Sequence, residues 1–288
     1  MTQQPIPTEQ PAPRRREFRT VTVKTVERLT PRLVRVTLAG ETLATMTTRG
    51  PAEHLKVLFP APGQTQPAVP SFDDEGRPVY PPGVERPVSR TYTPRRFRPD
   101  AGELDIDFVL HPEHVGPASE WASQAIPGDE IGFLCPPHAL YCPQPDAAWQ
   151  LLVGDESAIP AIGAIIEQLD EGQSAHAFIE VPGPEEEQRF DTRGDVRVHW
   201  IHRGTRPHGD AIVAAVRAAE LPGGAPYAWI SGEATLVKLT RRNLVRERGI
   251  DKHAITFTGY WRQGRTEEDN GRESVRRAAA GEPVVDED

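Results

Sequence analysis

The hydrophobic pattern changes period part-way along the chain, and that change restricts the fold more than any other feature. Val34, Val36 and Leu38 alternate with Arg35 and Thr37. Leu55, Val57 and Phe59 alternate with His54, Lys56 and Leu58, and Leu104, Ile106, Phe108 and Leu110 alternate with Asp105, Asp107 and Val109. Val21 and Val23 suggest a further strand near the start. Period two with one wet face belongs to half-buried antiparallel strands. No 3.6-residue periodicity of similar strength runs through 20–140. A closed antiparallel β-barrel, which leaves no sheet edge exposed, is the economical solution.

Beyond residue 150 the pattern is different. The run Leu151–Val153 ends in Gly154 and is followed by Ile159, Ile162, Ile165, Ile166 and Leu169 at helical spacing. Apolar runs return at 175–181, 196–201, 226–231 and 254–259. Helical patterns lie between some of them, at Ile212, Val213 and Val216 and at Leu236, Leu239 and Leu244. Strands alternating with helices predict a parallel sheet covered on both faces, with ligands at the carboxyl ends of its strands. Pro143 and Pro145 interrupt the chain between the two patterns. The expected organisation is a tail over 1–17, a β-barrel domain over 18–145, an α/β domain over 146–264 and an acidic tail over 265–288, both tails disordered for want of apolar surface. A length of 288 residues suits two such domains. Seven prolines within 62–87 predict a long surface excursion there rather than a strand.

Composition removes several classes of function. Two cysteines cannot hold a four-thiolate iron–sulfur cluster. Cys135 and Cys142 lack the Cys-x-x-Cys spacing and are expected to be packed thiols. A net charge of −9 without a basic block argues against nucleic acid. No segment approaches the ~18 apolar residues of a membrane span, and the N-terminus has no apolar signal core, so a cytoplasmic protein is expected.

Five clusters carry chemical interest. In Arg90-Thr91-Tyr92-Thr93 a guanidinium for phosphate, a phenol ring for stacking and hydroxyls for a ring nitrogen suit a flavin; the same residues also suit an ordinary strand with exposed Arg and Tyr. The stretch His111 to Trp121 leaves a strand and starts a helix near Pro117, placing Gly116 and free helix amides where a diphosphate would bind. His111 and His114 within it lack a third ligand for a metal. The run Gly154-Asp155-Glu156-Ser157-Ala158 lies at a strand-to-helix turn. It is not the Gly-x-Gly-x-x-Gly fingerprint, and it serves either as a nucleotide-facing turn or as a capped helix start. Ser231-Gly232-Glu233 ends another strand before a helix, and Gly259-Tyr260-Trp261-Arg262 closes the last strand.

Taken in order, these clusters resemble the siderophore-interacting protein family, flavin-dependent ferric-siderophore reductases built like ferredoxin–NADP reductases. The resemblance spans roughly residues 18–264. It implies a two-domain β plus α/β fold: an N-terminal antiparallel FAD-binding barrel and a C-terminal parallel-sheet domain for NADH or NADPH. It implies that Arg90, Thr91, Tyr92 and Thr93 hold FAD, with His111, Val115, Gly116, Pro117, Ala118 and Ser119 at its diphosphate. Gly154, Asp155, Glu156, Ser157 and Ala158, with Ser231, Gly232 and Glu233, would line the nicotinamide nucleotide site, and Tyr260 and Trp261 would lie near the flavin. Lys56 and Arg262 match positions for an anionic ferric siderophore, which a protein at −9 would otherwise repel. No acid–base pair and no resident metal is implied, and a monomer is expected. Arg203 and Arg206 point to a 2′-phosphate, whereas Glu180 points to a ribose hydroxyl, so the choice of nicotinamide nucleotide stays open. The same fold would serve a general NAD(P)H-dependent flavin or quinone reductase, or a siderophore-binding protein without reductase activity.

Overall fold

The structure is a computed structural model describing residues 17–48, 50–74, 76–111, 116–138, 141–143, 145–265 and 269. Of the two expected tails, residues 1–16 and 266–288 (except 269) lie outside the described residues.

The alternating segments of the first half become strands β1 (Glu17–Thr30), β2 (Leu33–Ala39), β3 (His54–Phe59), β6 (Val88–Tyr92), β7 (Pro94–Arg98), β8 (Glu103–Val109) and β9 (Glu130–His138), with β4 (Ser71–Phe72) and β5 (Pro78–Val79) between β3 and β6. Seven of them form one antiparallel sheet in the order β6-β3-β9-β1-β2-β8-β7. The register places Val36 opposite Ile106 and Leu38 opposite Leu104, so one face is continuously apolar. Val36, Leu38, Leu104, Ile106, Phe108, Ile131 and Phe133 are fully buried there. Helix α1 (Pro117–Gln124) caps this core by packing Trp121 on Phe59 (ring centroids 5.3 Å apart) and Phe108 (5.6 Å). The Pro-rich excursion carries its own small hairpin, β4 with β5.

The barrel domain is present, but its ladder is open between the outermost strands β6 and β7. These are two halves of one extended run interrupted only by Thr93, so no turn can fold one back on the other, and Pro94 supplies no N–H donor. The run leaves one edge of the sheet and joins the other, bridging the gap covalently. Thr93 therefore lies at the seam, buried.

The second half forms a five-stranded, wholly parallel sheet in the order β12-β11-β10-β13-β14. Its strands are β10 (Trp149–Asp155), β11 (Ser174–Val181), β12 (Asp195–His202), β13 (Pro226–Glu233) and β14 (Ile255–Trp261). The helical patterns become α2 (Ile159–Glu167), α3 (Asp210–Ala218) and α4 (Ala234–Arg246). Between β11 and β12 a loop with a single 3₁₀ turn, Pro184–Glu186, replaces a helix. Strand order reverses between β10 and β13, which defines the crevice where such sheets bind ligands. Among the described residues no helix is long and apolar enough to cross a membrane.

Two clasps join the domains. Arg95 of β7 is buried and forks onto Glu167 of α2 at 2.8 and 2.6 Å, with Asp107 3.8 Å from its Nε. Gly163 in α2 is required by this approach, because a Cβ there would lie 2.9 Å from the Arg95 guanidinium. Burial alone would raise the Glu167 pKa, but Arg95 and Arg96 hold it below its ordinary value. In the second clasp Glu186 accepts from the Thr30 hydroxyl and from the Arg32 amide (3.3 Å). The linker is fastened as well: the Tyr141 hydroxyl donates to Gln150 Oε1 (2.7 Å) and the Cys142 amide to the Tyr227 hydroxyl (3.0 Å). Cys142 is exposed and not packed as expected, because the chain crosses the surface there. The Cys135 side chain lies outside the description.

Arg95→Ala should destabilise the protein by about 2 kcal/mol, since it removes the buried, two-pronged arm of the bridge while Arg96 still reaches Glu167 and Arg35 still forks onto Asp107. Arg96→Ala, at a half-exposed arm of the same bridge, should cost under about 1 kcal/mol. Urea denaturation of both variants checks the contrast; equal effects would refute it.

Candidate functional site at the domain junction

The carboxyl edge of the parallel sheet is built around Asp155, the last residue of β10. Its carboxylate is wholly buried. Oδ1 accepts from the Ser157 amide (2.9 Å) and hydroxyl (2.5 Å), and Oδ2 accepts from the Glu233 amide (2.7 Å) and the Trp261 indole N–H (2.9 Å). One side chain thus ties together the ends of β10, β13 and β14. Burial and the neighbouring Glu156 push its pKa up to about 7, against the pull of those four donors. Gly154 and Gly232 make room. A Cβ on Gly154 would stand 2.7 Å from the Ser231 carbonyl, and one on Gly232 (φ +136°) would stand 2.8 Å from the Asp155 carboxyl.

The other acids of this edge are engaged internally. Glu180 accepts from the Gly209 amide (2.9 Å) and the Ile212 amide (3.2 Å), capping α3. Glu233 accepts from the Thr235 (2.6 Å) and Leu236 (3.1 Å) amides, capping α4. Glu156 receives the Arg203 fork at 3.0 Å twice, and Arg203 also reaches Glu180 at 3.4 Å. The expected roles of Arg203 at a 2′-phosphate and Glu180 at a ribose are therefore not what the geometry provides: both are buried and paired with protein. Arg206 remains exposed on the loop after β12. Two of the helix N-termini that could hold a phosphate, those of α3 and α4, already carry the protein's own carboxylates.

His208 belongs to this edge although no sequence pattern marks it. Its ring stands edge-on to Trp261 with centroids 5.0 Å apart, and its Nδ1 is buried with no hydrogen-bond partner among the described residues. Burial and Arg203 lower its pKa.

Tyr260 turns toward Thr93 of the barrel, and Trp261 turns toward Asp155 and His208. Gly232 pairs with Gly259 but Glu233 pairs with Trp261, so Tyr260 is an extra residue, a bulge, in β14. A bulge re-aims side chains at a strand end. The Tyr260 ring lies 6.3 Å from Trp229, and its hydroxyl is buried near Ser231 and Thr93. Burial pushes its pKa up to about 12, partly offset by those two hydroxyls. Thr93, at the barrel seam, is thus brought against the carboxyl edge of the other sheet.

On the barrel side, register separates the predicted residues into two faces. Leu55 pairs with Tyr92, Lys56 with Thr91 and Val57 with Arg90. Arg90 and Tyr92 share the face of the buried Leu55 and Val57, where the Tyr92 ring packs on Phe108 (4.5 Å) and where α1 lies. Lys56 and Thr91 point the other way, and the Lys56 ammonium donates to the Thr91 hydroxyl at 2.6 Å. The register puts Arg90 and Tyr92 on the face that α1 covers and sets Thr91 apart from them. Gly116 precedes Pro117 at the helix start with open space where a Cβ would be. The first intrahelical bond runs from the Glu120 amide to Gly116, leaving the Ala118 and Ser119 amides ahead of it. The Ser119 hydroxyl accepts from the His111 amide at 3.2 Å. Val115, with His114, lies outside the described residues. Arg262 is exposed just past Trp261, and Ala158 is buried beneath the turn that Asp155 caps.

Residues 22–140 match the family model of the siderophore-interacting FAD-binding domain, and residues 147–264 match that of the siderophore-interacting protein. The ferric vibriobactin reductase ViuB of Vibrio cholerae is 33% identical over 82% of this chain and 86% of that protein. The NADPH-dependent ferric-chelate reductase of Escherichia coli is 33% identical over 85% and 92%. A solved siderophore utilization protein from T. fusca superposes with a TM-score of 0.77 at 36% identity, covering 88% of this chain and 95% of that one. Ferredoxin reductases at 17% identity share the fold, with TM-scores of 0.62 and 0.58.

The residues present fit FAD. The Tyr260 hydroxyl and Ser231 Oγ are buried with no hydrogen-bond partner among the described residues. Buried polar groups left this way call for a ligand or water. The Gly116 turn with the α1 amides that follow it, and Arg90 on the face that α1 covers, are donors of the kind a diphosphate needs. Tyr260→Phe should leave the stability of the FAD-free protein unchanged or raise it by up to about 1 kcal/mol, because the deleted hydroxyl lies beside Ser231 and Thr93 without a well-formed hydrogen bond among the described residues. It should weaken FAD binding about tenfold. Thermal denaturation of the FAD-free protein and an FAD titration test this; lost stability with unchanged FAD affinity would contradict it.

Proposed function

Because this chain belongs to the siderophore-interacting protein family, we propose that it reduces ferric siderophores with NADPH through bound FAD, releasing Fe(II). The observation that carries the reading is the junction itself: Thr93 at the seam of the FAD-binding barrel meets the Tyr260 hydroxyl, which Ser231 also approaches at the switch point of the parallel sheet. A flavin anchored on the barrel and a nicotinamide at the sheet edge would meet there. Bound FAD supplies exchange between the two-electron chemistry of a nicotinamide and the one-electron reduction of ferric iron.

The protein's own residues have positioning and electrostatic roles in this reading. Arg90 and the first amides of α1 bind the FAD phosphates, and Tyr92 and Thr93 orient its ring. Tyr260 and Ser231 present hydroxyls to that ring and exclude water from it. Gly154, Gly232 and Ser157 shape the floor for the nicotinamide. Glu180 is turned inward to cap α3 and is withheld from a ribose hydroxyl, which favours NADPH over NADH, with Arg206 the exposed cation nearest in sequence to the expected 2′-phosphate. Lys56 and Arg262, both exposed, bind the anionic siderophore. Fe(II) is held by hard oxygen donors far more weakly than Fe(III), so reduction releases it. Domain boundaries near residues 18, 145 and 264, action as a monomer without nucleic acid, and a cytoplasmic location, where NADPH is available, complete the proposal.

The test is anaerobic. NADPH should bleach the bound FAD faster than NADH does, and adding a ferric siderophore should restore the flavin absorbance while a chelator captures Fe(II). Lys56→Ala combined with Arg262→Ala should raise KM for the siderophore about tenfold while ferricyanide reduction stays unchanged. Bleaching without reoxidation by siderophore would instead mark a general flavin or quinone reductase, and protein that takes up no flavin would mark a carrier.

A further inference from the structure

The family resemblance places Asp155 among the residues lining the nucleotide, yet the structure gives its carboxylate a different task. All four of its hydrogen bonds run to protein donors: Ser157 twice, the Glu233 amide and the Trp261 indole. Glu233 and Trp261 are the two residues that pair across the bulge at Tyr260. Asp155 Oδ2 holds both, so one oxygen pins the strand end that carries Tyr260 and Trp261. The site is built for that oxygen. Gly232 adopts φ +136°, and any side chain there would enter the space of the Asp155 carboxyl. The other face of the Trp261 contact is His208, edge-on at 5.0 Å, which leaves the indole fixed from two sides.

We propose that Asp155 is a positioning residue: it touches neither nucleotide nor flavin, and it sets the Trp261 indole and the Gly232–Glu233 turn as the surface on which the nicotinamide docks. This rests on the proposed reductase reading for its link to the nucleotide. Only a carboxylate meets the demand, since each of its oxygens faces at least one backbone or indole N–H and an amide would turn its own N–H against one of those. Binding of NADPH should therefore depend on Asp155 through Trp261, whereas the later transfer to the iron chelate should not.

The test uses Asp155→Asn, Trp261→Phe and the double variant. In FAD-free protein, the emission of Trp261, taken as wild type minus Trp261→Phe, should shift to longer wavelength when Asp155→Asn is introduced, because the indole loses its buried partner. In FAD-loaded protein each single variant should raise KM for NADPH about tenfold with kcat changed less than about threefold, and the double variant should go no further than the singles. Unchanged Trp261 emission, or KM effects that multiply in the double variant, would overturn the proposal. Should Asp155→Asn fail to fold, Gly232→Ala displaces the same carboxylate and must produce the same shift and the same KM effect. If NADPH reduces none of the proteins, the reductase reading fails, and the emission measurement still decides whether Asp155 holds Trp261.

Discussion

A buried carboxylate is expensive unless donors surround it, and the carboxyl edge of the parallel sheet is arranged around that constraint at Asp155. Ser157, Glu233 and Trp261 supply the donors from three separate chain segments. The glycine at 232, with its positive φ, and the bulge at Tyr260 both follow from letting those segments converge. The neighbouring acids obey the same rule, with Glu180 and Glu233 as helix caps and Glu156 on the Arg203 fork. An edge that looks strongly acidic in sequence has its carboxylates engaged with the protein's own donors.

The edge becomes a site because the barrel is held against it. The extended run through Thr93 crosses the open seam of the barrel, and Arg95, two residues on, is clasped by Glu167 of α2. The clasp formed by Glu186 with Thr30 and Arg32 restrains the opposite side. Seam, clasp and bulge together place Thr93, Tyr260 and Ser231 in one neighbourhood, although they lie far apart in sequence.

Much of this was legible before the structure. Period-two alternation located β2, β3 and β8, and the helical spacings located α2, α3 and α4. The ordered motifs identified the family and the segments that meet. What pattern reading missed depends on register and on long-range pairing. Lys56 and Thr91 face away from Arg90 and Tyr92 because of the β3–β6 register. Arg203 and Glu156 are 47 residues apart and neutralise each other, so neither remains as a reader of the nucleotide. The bulge that aims Tyr260 has no local signature, and His208 acquires its place only by packing on Trp261. The open seam at Thr93 was missed for a simpler reason: periodicity reports which residues face inward but not whether the ladder closes.

The central claim is that flavin and nicotinamide meet where the barrel seam touches the switch point of the sheet. A crystal structure of the protein with FAD and NADP⁺ bound tests it most directly. The account predicts the flavin ring in contact with Thr93 and Tyr260, its diphosphate at Gly116 and the start of α1, and the nicotinamide against Gly232 and Trp261 with the Asp155 bonds intact. A flavin ring bound on the outer face beside Lys56 and Thr91, away from Tyr260, would contradict it.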